Sequence, residues 1–418
     1  MVSRKHALEI RRLSMVLSAS EPDKKLKRQY FKTLHSLQRC RPVTVNILRV
    51  AKLLGISIQK LHPKFQLWDV IASPKHYDGK RSIGIIEELK LTEAWRESCE
   101  ILAKEKEHRN AEAWNYRGRL TKPNSILAAL DRKTSNRILF WHHHDSLGIV
   151  PNTWLDSLKS LKSCNWTIIA SSSYLNENAR KRLLQAGITI SIRENFGLCL
   201  GAHHDFIRLA SEDERINEWD ELLLLNDSTL PIGKPDRLAN WIENMSSEGR
   251  IDIPQLMGFT DSVERGAYHL QSYGLLANKA LLRHPAWKMF WKRFKPVSTK
   301  DEIIETGEIE LSQTLMKANV KIKACCSIAN LLVNDQSVVH ELQKIENIRL
   351  IDINLSLLAW ESLLQEGFPF IKKQILFNPP DFYPNQITLA KLKRHVDEPS
   401  DKLLEDIQSL MRSRHLKP

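Results

Sequence analysis

The chain has 418 residues, 42% hydrophobic and 27% charged, with a formal net charge of +13. That length exceeds a single domain core of about 100 to 200 residues, so two or three units of ordinary globular composition are expected. Membrane-spanning helices are excluded, because the longest apolar runs, such as residues 222–225, fall far short of the ~20 residues a span needs.

The start, Met-Val-Ser-Arg-Lys-His, is positively charged but lacks the apolar segment of about 7 to 15 residues found in secretory signals, which points to the cytoplasm. Cys40, Cys99, Cys164 and Cys199 are scattered, Cys325 adjoins Cys326, and no CxxC pair occurs. This spacing fits reduced thiols rather than a zinc site or a redox pair.

In chain order, residues 1–130 read as a basic, mainly helical region, with apolar positions at helical spacing in Ile47, Leu48, Val50, Ala51, Leu53 and Leu54. Basic side chains crowd the stretch from Arg4 to Lys60 against only Glu9, Glu21 and Asp23. Such a surface attracts anions, whether the anionic inner face of a plasma membrane, a lipid-linked diphosphate or, as the least expected partner, nucleic acid. A solvated basic face without a specific partner is the competing reading. Residues 43–61 have a helix-turn-helix pattern, which any two short amphipathic helices around a glycine also produce.

Residues 131–345 form the next expected domain. Short apolar runs at 137–141, 166–170, 188–192 and 221–225 predict strands buried on both faces, and the intervening segments 151–162, 176–186 and 201–209 predict helices. This alternation defines an α/β fold, a mainly parallel sheet flanked by helices. Shorter strands are expected at 256–259 and 268–276, with helices at 279–294 and 300–318. Residues 346–418 read as a helical C-terminal segment in which Ser400 caps a helix and Leu403, Leu404, Ile407, Leu410 and Met411 share one apolar face.

Ligands of an open α/β sheet bind beyond the carboxyl ends of its strands. Asn226, Asp227 and Ser228 directly follow the strand at 221–225. A carboxylate there can hold a divalent cation, which neutralises a diphosphate leaving group; an ordinary Asn-Asp-Ser turn is the alternative. Arg193, Asn195 and Gly197 follow another strand and lead into a helix, a setting that suits phosphate. In the His-His-His-Asp run at 142–145, strand alternation lets His142 and His144 face one way and His143 the other. With no third ligand evident, these two histidines are expected to shape the mouth of a pocket rather than hold a metal. No phosphate loop, GxGxxG, GxSxG or HExxH motif occurs.

The succession of residues 140–145, 166–170, 193–197, 219–228, 258–262, 269–273 and 308–312, continued at 360–372 (Trp-Glu-Ser-Leu-Leu-Gln-Glu-Gly-Phe-Pro-Phe-Ile-Lys), resembles the rhamnan synthesis protein F family. The resemblance implies a GT-A-like, Rossmann-like glycosyltransferase of rhamnose-containing polysaccharide or O-antigen synthesis. Its donor would be dTDP-L-rhamnose or a related nucleotide sugar, and its acceptor a polysaccharide or lipid-linked glycan. Asn226, Asp227 and Ser228 would take the place of an Asp-x-Asp motif, with Asp227 binding Mg²⁺ or Mn²⁺ or the donor diphosphate, and Arg193, Asn195 and Gly197 beside the donor. His142, His144, His269, Gln271 and Ser272 would line the sugar and acceptor side. For inversion at the anomeric carbon, Asp261 and Glu308 are the two candidate bases.

Two positions depart from the family pattern. Cys199 stands where an Asp commonly follows Asn-x-Gly, and Gly274 stands where an aromatic is usual after Gln-Ser-Tyr. A catalytically silent homologue acting as a scaffold or glycan-binding module is therefore the alternative function.

Overall fold

The computed structural model describes residues 120–327 apart from positions 121, 134, 213, 250, 251, 265, 266 and 298, together with residues 331, 354–377, 392 and 401–415. Residues 1–119, most of the basic region expected over 1–130 together with the helix-turn-helix pattern at 43–61, lie outside the described residues, as does most of the stretch 328–353. Two compact units are present: one comprises Asn115–Thr260, Leu270–Cys325 and Leu363–Pro418, and the other contains Asp261–His269 and Cys326–Ser362.

The sheet is mixed and eight-stranded. Its strands β1 (Arg137–His143), β2 (Thr167–Ser172), β3 (Thr189–Ile192), β4 (Glu221–Asn226), β6 (Gln255–Ser262), β7 (His269–Leu270) and β8 (Gly274–Asn278) lie in the order β3-β2-β1-β4-β8-β6-β7, and β9 (Lys321–Cys326) pairs with β6. The β1, β2, β3 and β4 ladders are parallel, whereas β8 runs antiparallel to β4 and β6. A separate two-stranded ribbon joins β5 (Thr229–Pro231) to β10 (Phe370–Lys372).

Helices cover both faces of the parallel half, which explains why β1 and β4 are apolar at nearly every position. Phe140 stacks on Phe206 of the helix Leu198–Glu212 at 4.3 Å between centroids, on one face. Trp141, on the opposite face, packs on Trp154 of the helix Asn152–Ser163. Ile138, Leu139, Phe140, Trp141 and Leu222 through Leu225 are all fully buried. The four predicted strands are present, but β1, β2 and β4 extend one or two residues further, carrying His142, His143, Ser171, Ser172 and Asn226 into the ladder, and β3, expected to be buried on both faces, stands at the sheet edge with Ser191 its one buried residue.

Two predicted helices are interrupted. The segment expected as 279–294 breaks at His284 into Lys279–Leu282 and Pro285–Arg293, because Pro285 has no N–H to continue the first helix but is accommodated at the start of the second. The segment expected as 300–318 contains a π-helical turn, Ile304–Ile309, between two α-helical pieces. At the chain's end, the helix Asp401–His415 buries Leu403, Ile407 and Leu410, while Met411 of the expected apolar face is exposed.

Candidate functional site

The carboxyl ends of β1, β2 and β4 bring a row of polar side chains into register. His142 lies opposite Ser171 on one side and Asn226 on the other, and residues opposite one another project to the same face. His142 is 2% exposed, and neither of its ring nitrogens has a hydrogen-bond partner among the described residues; the hydroxyl of Ser171 also lacks one. Burial above all, with the Arg193 guanidinium adding to it, pushes the His142 pKa down to about 3, so the ring is neutral. Burial likewise lowers His203, on the helix that covers this face, to about 4. Buried polar groups without partners are uncommon in folded proteins and call for a local explanation, a bound water, ion or ligand among them.

On the opposite face, His143 is fully buried, with Nε2 donating to the Ile149 carbonyl (2.9 Å) and Nδ1 2.9 Å from the Ser172 hydroxyl. Its Nε2 is also 3.9 Å from Asp227. The Asp227 carboxylate accepts a 2.8 Å hydrogen bond from Lys373 Nζ. Burial alone would raise the Asp227 pKa, but Lys373 and His143 outweigh it and hold the carboxyl below its ordinary value. The lysine arrives by way of the small ribbon: Lys372 pairs with Thr229, and the Lys373 N–H donates to the Ser228 carbonyl at 2.9 Å. Sequence reasoning passed over His143 and Lys373. Strand alternation correctly put His143 on the face opposite His142, and only the His142 face was read as part of a pocket; Lys373 falls one residue beyond the motif at 360–372.

The donor-side candidates divide. The Asn226 side-chain oxygen accepts the Ser228 N–H (2.9 Å), and its amide reaches the Ser272 carbonyl, so the local turn and the site share this residue. Ser228 is exposed. Arg193 is buried against Asp205 (3.0 Å) and the Phe196 carbonyl (2.8 Å), which makes it a brace for the loop that carries Asn195. The Asn195 side-chain oxygen is buried without a partner among the described residues. Gly197 (φ 74°) and Leu198 (φ 51°) are both left-handed, and a Cβ at Gly197 would come within 2.6 Å of Pro296. Glycine is the residue that turns here at no steric cost.

Ser272 joins these groups to Glu308. The Ser272 N–H and hydroxyl both donate to one Glu308 oxygen, at 3.1 and 2.5 Å, and the hydroxyl lies 3.4 Å from Cys199 Sγ. Burial raises the Cys199 thiol to about 11, so it stays neutral where the family pattern places a carboxylate. Glu308 stands on the π-helical turn, a distortion often found at functional sites. Gln271 is buried and accepts from the Thr260 hydroxyl (2.7 Å). His144 is exposed, bonded to Ser173. Asp261 and His269 are fully buried in the other compact unit, where His269 Nδ1 donates to the Ala267 carbonyl.

Among the described residues no three His, Cys, Asp or Glu side chains converge as metal ligands. Asp227 already holds Lys373, and a doubly charged ion on the same carboxylate would lie about 4 to 5 Å from that ammonium, a repulsion on the order of 5 to 10 kcal/mol at an effective dielectric constant of about 20.

Gly274 has a steric reason. A Cβ there would meet the Phe259 ring at 2.1 Å, so Phe259 occupies the space that an aromatic at position 274 would need.

The fold is α/β, a mostly parallel sheet flanked by helices, with buried polar groups at the carboxyl ends of its parallel strands, where ligands of such sheets bind. Residues 167–416, more than half of the chain, match the rhamnan synthesis protein F family, and the chain belongs to that family. It is also similar to virulence protein VirA of Vibrio anguillarum, in the sequence from strain ATCC 68554 / 775 and in a second one from that species, each 29% identical over 209 residues. That similarity covers 46% of this chain and 63% of the relatives, so the chain spans less than two thirds of their length. No helix among the described residues is long and apolar enough to cross a membrane.

Proposed function

We propose that the chain is a GT-A-like glycosyltransferase of polysaccharide biosynthesis. It transfers L-rhamnose or a related deoxysugar from a nucleotide-sugar donor such as dTDP-rhamnose to a polysaccharide, O-antigen or lipid-linked acceptor. The observation that carries this reading is the row His142, Ser171 and Asn226, buried polar groups at the strand ends of a chain whose family is named for rhamnan synthesis. The donor diphosphate lies over Asn226, Asp227 and Ser228. Glu308 is the base: the acceptor oxygen bonds the anomeric carbon, the bond from that carbon to the diphosphate breaks, and the carboxylate takes the hydroxyl proton. The reaction takes place in the cytoplasm, with the basic residues before position 60 drawing the enzyme to the anionic inner face of the plasma membrane.

A second reading, a silent scaffold or glycan-binding module, is favoured by one observation, the neutral thiol of Cys199 where the family pattern has a carboxylate. A thermal-shift screen against dTDP-rhamnose, dTDP, UDP-sugars and GDP-sugars, repeated on Asp227→Asn, separates the two. A ligand at 100 times its dissociation constant stabilises the fold by about 2.7 kcal/mol, a shift of a few degrees. Stabilisation by one nucleotide class, weakened in the variant and accompanied by slow donor hydrolysis, is the expected result. Stabilisation by none of them moves the assignment to the scaffold.

A further inference from the structure

We infer that the chain neutralises the departing diphosphate with the ammonium of Lys373 instead of a divalent cation, an inference that rests on the transferase reading above. Lys373 and Asp227 have side chains each 10% exposed, so the pair is nearly sealed from water yet reaches the surface of the site. Asp227 is the only side-chain partner of Lys373 Nζ among the described residues, which leaves two ammonium hydrogens for phosphate oxygens. The carboxylate aims the ammonium, and the backbone anchors it: the Lys373 N–H is held on the Ser228 carbonyl, within the segment the donor would lie over.

Asp227 and Lys373 form a net-neutral pair, the adjacent imidazole of His142 is neutral, and the thiol of Cys199 is neutral. The leaving group of a nucleotide sugar is a dianion or trianion, and an ammonium pointing into a water-poor site stabilises charge that develops there without reorganisation. A Mg²⁺ ion held beside a diphosphate needs one or two protein carboxylates besides the phosphate oxygens, and the carboxylate at this place, Asp227, is already engaged by Lys373. Lys373 is thus a binding and electrophilic residue, and Asp227 is the residue that positions it.

The test is calorimetric titration of the full chain with dTDP, UDP and GDP, first in EDTA and then in Mg²⁺ or Mn²⁺. The expected result is binding of one diphosphate in EDTA, with metal changing its affinity by less than about threefold. Removing Lys373 alone leaves a buried carboxylate uncompensated, so the informative variant is the neutral pair Asp227→Asn with Lys373→Met, its folding checked by thermal unfolding. That variant is expected to lose at least tenfold in diphosphate affinity while keeping a cooperative unfolding transition. Binding that needs metal, or a folded paired variant that binds as well as the native chain, overturns the inference and leaves the transferase reading standing. Absence of binding by any nucleotide in any buffer overturns both.

Discussion

At the scale of single residues, the site sets groups kept uncharged by burial beside the Asp227–Lys373 ion pair. His142 and His203 titrate at about 3 and about 4 in the folded chain, below their ordinary 6.5. The unfolded chain therefore binds more protons between about pH 4 and 6.5. The stability contributed by the neutral rings is complete above 6.5 and is lost as the pH falls below it. Each ring contributes about 2 kcal/mol to that loss at pH 5. Urea unfolding at pH 7.5 and pH 5 should show a marked drop in stability, and His203→Gln should flatten the dependence. A pH-independent midpoint would contradict the burial of uncharged histidines. Gly274 gives a second prediction at this scale. Gly274→Ala should cost about 1 to 3 kcal/mol by overpacking against Phe259, which is itself stacked on Phe370, and Phe259→Leu in the same chain should recover part of it.

Among the elements, the helix Asn152–Ser163 shows how distant segments finish local structure. It starts at Pro151 without a side-chain cap of its own, and Asp406, on the helix Asp401–His415, accepts its first N–H groups at Asn152 and Thr153 and the Thr153 hydroxyl. Asp406→Ala should destabilise the chain by about 1 to 3 kcal/mol, measured by chemical unfolding, whereas Asp406→Asn should lose less because an amide oxygen still accepts. The alternation of strands and helices was legible in the sequence because the central strands β1 and β4 are apolar on both faces and the helices between the strands are amphipathic. The polar strand ends were not legible: a serine or histidine ending a strand has the same letters as a serine or histidine beginning a loop. For that reason the sequence located the turn at Asn226–Ser228, and the family resemblance named Ser272, but Ser171, His143 and Lys373 were missed. Lys373 depends on the register of a ribbon closed between residues 229 and 372, which local sequence does not encode.

For the whole molecule, one compact unit holds the parallel strand ends, the ribbon, Glu308 and Cys199, so every group assigned to donor binding or proton removal is available within it. Asp261 and His269 belong to the other unit. In the proposed transferase the nucleotide-sugar diphosphate binds at the carboxyl ends of β1, β2 and β4 beside Lys373. Hydrogen–deuterium exchange of the full chain with and without dTDP-rhamnose, UDP-sugars and GDP-sugars tests it most directly. The account predicts slowed exchange around residues 142–149, 171–174, 226–229 and 370–374 with one of these donors. Protection confined to other segments, or unchanged exchange with a donor shown to bind, would contradict it.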